Sequence, residues 1–324
     1  MKKFIKILIL FSIPILIGMI SFELLLRDIP NDYSFKKNYL NTNSNNIEVL
    51  FLGSSHIYFG INPEYISRKS FNGAHISQSL NWDLAILEKY KDRWENLKYI
   101  IIPIDYFSMY SILEGGIENW RVKNYSIYYD ISTYGNYWDG FEIFNGKLPS
   151  NILRALSYLF KWKSDITCNK LGFGTAYKSK DSKDLIETGK TASKRHTIEL
   201  EKNQPIFSKN IQTINSMIEF ANSRDIKIIF ITCPAYSSYR ENLNPIQLDN
   251  SVNIIKKLSE QNINSVYYNF LTDKTFIAND YYDADHLNEI GAKKLTFKID
   301  SIINNKDSTY AQQAFGKKMA SGLK

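Results

Sequence analysis

Two short groups of residues, far apart in the chain, have side chains that could together carry out acyl transfer. The first reads Gly-Ser-Ser-His at 53–56 and directly follows an apolar run at 47–52. A strand that ends at a glycine and small hydroxylated residues predicts a tight turn that exposes a serine hydroxyl, so we take Ser55 as the candidate nucleophile. A serine hydroxyl needs a base that a third group orients, and the second group, Asp-Ala-Asp-His at 283–286, offers His286.

Neither group would identify an enzyme by itself. Gly-Ser-Ser occurs in many loops, and an Asp-x-x-His group is often a solvated surface pair. Together they give the order serine, aspartate, histidine with most of a domain between them, and this joint signal favours catalysis. Asp285 competes with Asp283 as the carboxylate. Side chains at positions i and i+3 can face each other in one helical-type turn, whereas adjacent ones diverge, so the spacing favours Asp283.

The two groups resemble the sequence blocks of the SGNH/GDSL hydrolase family, whose first block carries the catalytic serine and whose last block is Asp-x-x-His. The resemblance covers roughly residues 47–304 and is strongest at the two ends. It implies that Ser55 is the nucleophile, that His286 is the base and that Asp283 orients the base.

The same resemblance implies where the developing oxyanion would be bound. Segment 71–79 is similar to the family's second block, in which a glycine N–H helps to bind the oxyanion, and the aligned position is Ser77. The third block would carry an asparagine, but residues 103–106 read Pro-Ile-Asp-Tyr. Removing one such donor typically costs several kcal/mol of transition-state stabilisation, which favours a specialised branch or a slower enzyme. The candidates for oxyanion or substrate contacts are Ser77, Gly73, Asn72 and His56, although a residue next to the nucleophile, such as His56, often merely starts the helix.

The chain begins with three lysines in its first six residues, followed by an apolar run at 7–22 that continues beyond Glu23. A helix of about 20 residues spans a bilayer. The run could be a cleaved signal peptide or a retained signal anchor, and the poor cleavage site at 18–23 favours the anchor. The lysines predict a cytoplasmic amino terminus and an extracytoplasmic remainder.

Beyond residue 46, apolar strands alternate with amphipathic helices. The predicted strands are 47–52, 99–104, 226–232 and 265–270, and the main predicted helices are 80–94, 210–222, 246–258 and 288–303. This alternation predicts an α/β fold, a three-layer α/β/α sandwich around a parallel sheet. Such sheets bind ligands beyond the carboxyl ends of their strands, where Ser55 and the group at 283–286 would both lie.

These observations divide the chain into parts. The predicted parts are a membrane anchor at 1–27, a polar linker at 28–46, an SGNH-like catalytic domain at 47–304 with an insertion at about 106–204, and a disordered tail at 305–324. The insertion combines an aromatic stretch with a polar segment at 171–194, which we interpret as a mobile loop. The aromatic residues are Trp120, Tyr125, Tyr128, Tyr129, Tyr134, Tyr137, Trp138 and Phe141. Aromatic rings suit the faces of sugars, and the alternative is a small aromatic core.

Composition excludes several function classes. The 324 residues carry 40 basic and 33 acidic side chains, a mild net charge of +7, and 44% are hydrophobic. Without an Arg-rich helix, a zinc-finger spacing or a basic and aromatic RNA motif, a nucleic-acid partner is not predicted. The sequence shows no metal-ligand spacing and no Gly-rich phosphate loop, so we predict no metal and no cofactor. His75 and His196 are interpreted as structural or exposed, and Cys168 and Cys233 could form a disulfide although nothing in the sequence shows their proximity.

The predicted function is acyl-ester chemistry outside the cytoplasm. An acyl group on Ser55 would pass to water in an esterase or to a sugar hydroxyl in an O-acyltransferase. The layout resembles that of membrane-anchored proteins of alginate O-acetylation and of teichoic-acid D-alanine transfer, which work beside a membrane-bound O-acyltransferase. The resemblance implies an acylated glycan or envelope polymer as substrate, and the alternative is an inactive adaptor that binds glycan or a membrane partner.

Overall fold

The computed structural model describes residues 2–131, 140–144 and 147–304. The chain divides into two compact units. The N-terminal unit consists of Met1–Tyr39 and Ile117–Thr167, and the sheet unit consists of Leu40–Gly116 and Cys168–Lys324. The predicted tail at 305–324 and three of the aromatic residues, Tyr134, Tyr137 and Trp138, lie outside the described residues.

Helices flank the strands along most of the chain, with short 3₁₀ turns between them. Within the described residues the α-helices are α1 Lys2–Asp28, α2 Asp32–Asn43, α3 Ser55–Tyr58, α4 Leu80–Lys89, α5 Lys123–Ile127, α6 Leu148–Lys161, α7 Leu185–His196, α8 Gln204–Asn222, α9 Ser237–Arg240, α10 Pro245–Glu260 and α11 Glu289–Ile303.

The sheet unit contains a five-stranded parallel sheet in the order β2-β1-β3-β4-β5. Its strands are β1 Val49–Phe51, β2 Ser70–Asn72, β3 Tyr99–Pro103, β4 Lys227–Thr232 and β5 Ser265–Asn269. Leu50 pairs with Phe71 of β2 on one side and with Ile100 of β3 on the other. The strand order therefore reverses between β1 and β3, and open sheets of this kind bind ligands at such a reversal.

Helices cover the sheet on both faces, which gives the expected three-layer α/β sandwich. On one face Phe51 and Ile101 belong to a buried cluster with Leu295 and Ile299 of α11. The other layer contains α4 and α8, which contact each other, and α8 also contacts β4. Strands covered on both faces must be apolar on both, and this explains why β3 reads as a continuous run of Ile residues from Ile100.

The predicted strands and helices correspond closely to observed elements, and the differences lie where the pattern is weak. Segment 28–46, predicted as a linker, contains α2. The polar segment 171–194, predicted as a loop, runs into α7, which Asp184 caps through hydrogen bonds to the N–H groups of Ile186 and Glu187. Strand β2 is only three residues long and was not predicted from the sequence. Its pairing with β1, rather than its own hydrophobic pattern, makes it a strand.

A separate antiparallel ribbon carries the second chemical group. It consists of β6 Tyr281–Asp283 and β7 His286–Leu287. The predicted helical-type turn at 283–286 is therefore wrong in its geometry, because Asp283 and His286 face each other as paired ribbon residues. Helix α11 begins three residues after His286, and the Asn288 side chain accepts hydrogen bonds from two N–H groups of its first turn.

In the N-terminal unit, α1 is long and apolar enough to cross a membrane, with a mean hydropathy of 2.4 over its most apolar stretch. Length and composition make it a candidate span. Its apolar side chains are exposed up to Ile20, whereas Glu23 is buried and accepts hydrogen bonds from the N–H groups of Glu142 and Ile143 at 3.0 and 2.8 Å. The end of α1 thus packs against the rest of the N-terminal unit, whereas the side chains before Glu23 are mostly exposed to solvent.

Several of the predicted aromatic residues form a core in the N-terminal unit. Tyr125, Tyr128 and Tyr129 are buried, and the ring of Tyr33 lies edge-on to two of them. This packing favours the aromatic core over a sugar-binding surface for these three residues. Trp120 differs, because it is 46% exposed.

Candidate active site

The nucleophile turn follows β1, at the point where the strand order reverses. Gly53 has φ of +122°, which side chains of L-residues rarely adopt, and a Cβ there would lie 2.3 Å from the Pro103 ring. Only glycine fits. Ser54 then caps α3, accepting a hydrogen bond from the N–H of His56, and Ser55 is the first residue of that helix. The Gly-Ser-Ser order thus makes the chain turn sharply and leaves Ser55 at the helix N-terminus.

The histidine is held by the aspartate three residues before it. Asp283 Oδ1 accepts hydrogen bonds from the N–H groups of Asp285 and His286, at 3.2 and 2.9 Å, and so closes the two-residue turn of the ribbon. The same oxygen lies 2.9 Å from His286 Nδ1. Aspartate commonly closes turns through its own downstream backbone in this way. A single carboxylate therefore fixes both the turn and the imidazole.

The structure brings together the three residues that the sequence predicts. Ser55 Oγ lies 2.9 Å from His286 Nε2, and His286 Nδ1 lies 2.9 Å from Asp283 Oδ1. Ser55 and Asp283 are partly buried, whereas His286 is buried. A hydroxyl, an imidazole and a carboxylate in this sequence of hydrogen bonds form a Ser-His-Asp arrangement. The geometry permits proton transfer from Ser55, and the catalytic roles remain a prediction.

A buried carboxylate on α4 supports the nucleophile turn. Asp83 accepts a hydrogen bond from the N–H of Gly53 and another from the Gln78 side chain at 2.6 Å. Burial raises the pKa of Asp83 to about 7, although both hydrogen bonds lower it. The residue follows the predicted start of α4 at Leu80, but no pattern in the sequence connects it with Gly53.

His56, predicted as a substrate contact, is instead buried in a second histidine–carboxylate pair. Its Nδ1 lies 2.7 Å from Asp105 Oδ2, and Asp105 Oδ1 accepts a hydrogen bond from the N–H of Cys233. Asp105 lies two residues after the end of β3. A carboxylate in that position binds His56 and a backbone N–H, so this aspartate acts as an acceptor.

Asp285 lies between the two histidines. Its Oδ1 is 3.5 Å from His286 Nδ1, and its Oδ2 is 3.6 Å from His56 Nε2. The Asp285 carboxylate is almost fully buried, and neither its Oδ2 nor His56 Nε2 has a hydrogen-bond partner among the residues that the structure describes. Both carboxylates of the 283–286 group therefore adjoin His286, but only Asp283 makes a short hydrogen bond to it.

The carboxylates shift the protonation of both imidazoles. Burial lowers the pKa of His286, but the charges of Asp285 and Asp283 outweigh it and raise that pKa to about 10. Burial likewise lowers the pKa of His56, and Asp105 raises it to about 9. Burial raises the pKa of Asp285, but His286 and His56 together hold it well below its usual range. The site thus stabilises the imidazolium form, which is the form that His286 takes after receiving a proton from Ser55.

His196 adjoins the same cluster but has the opposite shift. Burial lowers the pKa of His196 to about 3, although nearby Asp285 raises it. Its Nδ1 lies 2.9 Å from the Tyr239 hydroxyl. His75 is buried, and His196 is partly buried. Of the two roles predicted for these histidines, structural or exposed, the burial of His75 favours the structural one.

Two of the predicted oxyanion contacts are used within the fold. The N–H of Gly73 donates to the carbonyl oxygen of Phe51 at 2.8 Å. The amide of Asn72, which is fully buried, donates to the carbonyl oxygens of Ile57 and Ile61 at 2.8 Å each. These donors hold β2 against β1 and α3, so neither group is available to a substrate.

Ser77 and the backbone of Ser55 remain as candidate donors. Among the described residues the N–H of Ser55 has no hydrogen-bond partner, as expected for the first residue of a helix. Ser77 is partly buried and has φ of 60°, a left-handed conformation that is uncommon for serine and concentrates at functional sites. The N–H of His75 donates to the carbonyl oxygen of Gly53 and ties the Ser77 loop to the nucleophile turn.

Stacked aromatic rings form a wall beside His286. The Tyr177 ring lies between Phe59 and Tyr282, with centroids 3.7 and 3.9 Å away, and its centroid is 5.3 Å from that of His286. Burial and then the charge of Asp283 raise the pKa of the Tyr177 hydroxyl. Tyr177 lies in a segment without a helical or strand pattern, so no sequence signal marks it as part of the site. A sugar-binding role for Trp120 stays a prediction.

Two groups of side chains have the composition of metal ligands. Ligand atoms of His56, Asp285 and His286 lie within 4.8 Å of one another, as do those of His56, Asp105 and Cys233. Direct hydrogen bonds of 2.7 and 2.9 Å from the histidine Nδ1 atoms to carboxylates already satisfy these nitrogens. His56 Nε2 and Asp285 Oδ2, by contrast, have no hydrogen-bond partner among the described residues. Cys233 and Cys168 are both free thiols, so the disulfide considered above does not form.

The fold and the site define an α/β protein with a serine, a histidine and an aspartate hydrogen-bonded at the carboxyl edge of a parallel sheet. No protein-family model matches the chain, and no curated protein matches it. The solved structures that resemble it include the following two. One is described as a "putative acylhydrolase" from Bacteroides fragilis, with 12% identity, a TM-score of 0.39, and coverage of 83% of this chain and 95% of that one. The other is described as a "putative platelet activating factor" from Streptococcus pneumonia, with 8% identity, a TM-score of 0.39, and coverage of 89% and 97%. Because these similarities are low, we draw no conclusion about activity from them.

Proposed function

We propose that this protein catalyses acyl-ester chemistry through an acyl-enzyme on Ser55. The observation that carries the proposal is the continuous chain of hydrogen bonds from Ser55 Oγ through the His286 ring to Asp283. A serine hydroxyl becomes a useful nucleophile only beside an oriented base, and this arrangement supplies both the base and its orientation.

In the acylation step, Ser55 Oγ attacks the carbonyl carbon of an ester and its proton passes to His286 Nε2. Asp283 accepts a hydrogen bond from the His286 Nδ1–H and stabilises the imidazolium. The N–H groups of Ser55 and Ser77 bind the oxyanion of the tetrahedral intermediate. When the intermediate collapses, the carbon–oxygen bond to the leaving alcohol breaks and His286 returns the proton to that alcohol.

In the second step another hydroxyl attacks the acyl-serine. His286 takes its proton, the bond between the acyl carbon and Ser55 Oγ breaks, and the serine regains its proton. Water as the attacking group gives hydrolysis, and a glycan hydroxyl gives transfer. A bound acceptor can outcompete water because correct positioning is worth about 7–11 kcal/mol.

We further propose that the substrate is an O-acylated glycan of the cell envelope or of an exported polysaccharide. The proposal is supported by the SGNH-like sequence blocks and by the apolar helix α1, which would anchor the chain with its sheet unit outside the cytoplasm. The mild positive charge of +7 suits an anionic envelope polymer. A membrane-bound O-acyltransferase is the partner that this layout implies.

The direct test is covalent labelling of the full-length protein with a fluorophosphonate probe. We expect the wild type to be labelled and Ser55→Ala to be unlabelled and folded. Ser54→Ala is the matched control; it loses a helix cap worth about 1 kcal/mol but keeps the nucleophile, so it should retain labelling. Labelling that persists in Ser55→Ala and disappears in Ser54→Ala would show that the wrong serine was assigned. A folded wild type without any labelling would favour the adaptor.

A second experiment separates hydrolysis from transfer. A labelled acyl donor is supplied with and without an envelope polysaccharide, and the acyl group is followed into water and into glycan. If the aromatic stretch binds the acceptor, Trp120→Ala should depress transfer more than hydrolysis, whereas Phe297→Ala, which removes another half-exposed ring, should change neither. Equal losses in both channels would exclude an acceptor role for Trp120, and no transfer to any polymer would leave the esterase.

A further inference from the structure

Helix α6 of the N-terminal unit has a broad exposed apolar side. Six large apolar residues along it are exposed, namely Leu148, Ile152, Leu153, Leu156, Leu159 and Phe160. At 3.6 residues per turn these positions fall within an arc of about 140°. In soluble proteins an apolar arc of that width on a helix is buried against a core. In α6 the arc is exposed to solvent instead, and Phe160 is 77% exposed.

The other sides of α6 are already used. Asn151 and Ala155 are buried against the rest of the unit. Arg154, on the polar side, pairs with Glu142 at 3.1 Å and with Asp165. These contacts fix the rotation of the helix about its axis, so the apolar arc cannot turn inwards.

The contacts of α6 place it at the end of the candidate membrane span. Ala155 belongs to a buried cluster with Leu26, which lies in α1, and with Ile29, which directly follows α1. The Tyr158 hydroxyl donates a hydrogen bond to Asp28 at 3.2 Å. The residues that α6 contacts here lie three to six positions after Glu23, where the exposed part of α1 ends.

That spacing matches the thickness of the lipid headgroup region. Three to six residues of helix correspond to an axial rise of about 5–9 Å. The polar region on each side of a bilayer is about 5–8 Å thick, because a hydrocarbon core of about 30 Å lies within a total of about 40–45 Å. We propose that α6 lies in the headgroup region of the bilayer that α1 spans, with its exposed apolar arc against the lipid. This inference rests on the membrane anchoring proposed above.

The residues around α6 suit the chemistry of that region. Trp162 follows the helix and is 84% exposed, and tryptophan is enriched at membrane–water interfaces. Lys147 precedes the helix, and Lys161 and Lys163 flank the tryptophan. Lysines at the ends of an interfacial helix can reach the lipid phosphates while their stems follow the apolar arc. The expected occupant of the arc is therefore phospholipid.

Site-directed spin labels on the full-length protein in phospholipid nanodiscs test the proposal. Labels replace Leu153 and Phe160 in the arc, Ser157 on the polar side as the matched control, and Leu16 in α1, in a Cys168→Ser background. Each label is measured for collisions with oxygen, which concentrates in lipid, and with a water-soluble nickel complex. We expect the two arc labels to give an oxygen-to-nickel ratio several-fold above that of Ser157 and below that of Leu16, which lies deeper in the bilayer.

The other outcomes overturn the proposal in distinguishable ways. Arc labels that match Ser157, with Leu16 in lipid, would place α6 in water while the anchor holds. Arc labels inaccessible to both reagents would show that protein covers the arc, which favours a membrane-protein partner. A Leu16 label open to the nickel complex would show that α1 does not span the bilayer, whatever the activity of Ser55.

A second measurement uses the native tryptophan and no label. Lipids brominated near the headgroup end of their tails quench nearby indole rings. We expect such lipids to quench the wild-type protein, and most of that quenching to be absent in Trp162→Phe. Unchanged quenching in Trp162→Phe would contradict the position of α6 even if the spin labels were perturbed.

Discussion

The two carboxylates beside His286 should have separable effects on the pH dependence of Ser55 acylation. Burial lowers the pKa of His286, and Asp285 and then Asp283 raise it to about 10. Only the neutral imidazole can accept the Ser55 proton, so we expect acylation to rise with pH into the alkaline range. Asp285→Asn removes the charge that raises the pKa of His286 most and keeps the hydrogen bond from His286 to Asp283 at 2.9 Å. The alkaline rise should therefore move to lower pH in this variant.

The distance sets the size of the shift. Asp285 Oδ1 lies 3.5 Å from His286 Nδ1. At an effective dielectric constant of about 20, two unit charges at that separation interact by about 5 kcal/mol. That energy is an upper limit of about 3.5 pKa units at 1.36 kcal/mol per unit. A single neighbouring charge usually shifts a pKa by about 1–3 units. We therefore expect the midpoint of the pH dependence of acylation to be about 1–3 pH units lower in Asp285→Asn than in the wild type.

The assay is the rate of fluorophosphonate labelling from pH 5 to pH 10, with Asp283→Asn as the paired variant. Asp283→Asn removes both a charge and the acceptor that fixes the imidazole tautomer. Its maximal rate should fall by about 10³–10⁴-fold, whereas Asp285→Asn should keep most of its maximal rate and react faster near pH 7. An unshifted or more alkaline rise in Asp285→Asn would refute the electrostatic role of Asp285. An equal loss of maximal rate in both variants would refute the division of roles.

Three further predictions concern the turn, its support and the anchor. Gly53→Ala should destabilise the protein by roughly 2–4 kcal/mol and abolish labelling, because its Cβ would lie 2.3 Å from the Pro103 ring in a strained conformation, and denaturation midpoints measure this. Burial raises the pKa of Asp83 to about 7. The contribution of protonated Asp83 to the stability of the fold is therefore present at acidic pH and is lost as the pH rises from about 4 through 7. Asp83→Asn should therefore stabilise the protein by about 2–4 kcal/mol more at pH 8 than at pH 4 in urea titrations, and an identical effect at both pH values would contradict a buried charge. Reporter fusions after residue 40 should be active only outside the cytoplasm, and a mature chain that begins near Phe22 would turn the anchor into a signal peptide.

The sequence predicts the central strands because their physical requirement is local. A strand covered on both faces must be apolar at consecutive positions, and β3 and β4 satisfy this within a few residues of the predicted bounds. The nucleophile turn is predictable for a similar reason, since the strain at Gly53 can be tolerated only by glycine. The Ser55 and His286 pairing also follows, because parallel strands bring their carboxyl ends to one edge.

Other features depend on tertiary contacts that leave no periodic signal. Strand β2 exists because of its pairing with β1, and α7 begins at an Asp184 cap within a polar segment. Asn72 carries the right chemistry for a substrate contact, yet three hydrogen bonds commit its side chain to the fold. Tyr177 reaches His286 by stacking on Phe59, a contact that neither residue's neighbours indicate. Side chains of this kind can be assigned only after the backbone places them.

The residue at position 105 shows how one carboxylate affects the balance of the site. The Asp105 carboxylate accepts a hydrogen bond from the Cys233 N–H and pairs with His56. Asp105 raises the pKa of the His56 imidazole against the effect of burial, and His56 Nε2 lies 3.6 Å from Asp285 Oδ2. His56 therefore partly offsets the negative charge that Asp285 places beside His286, so Asp105 influences the base through two intervening side chains.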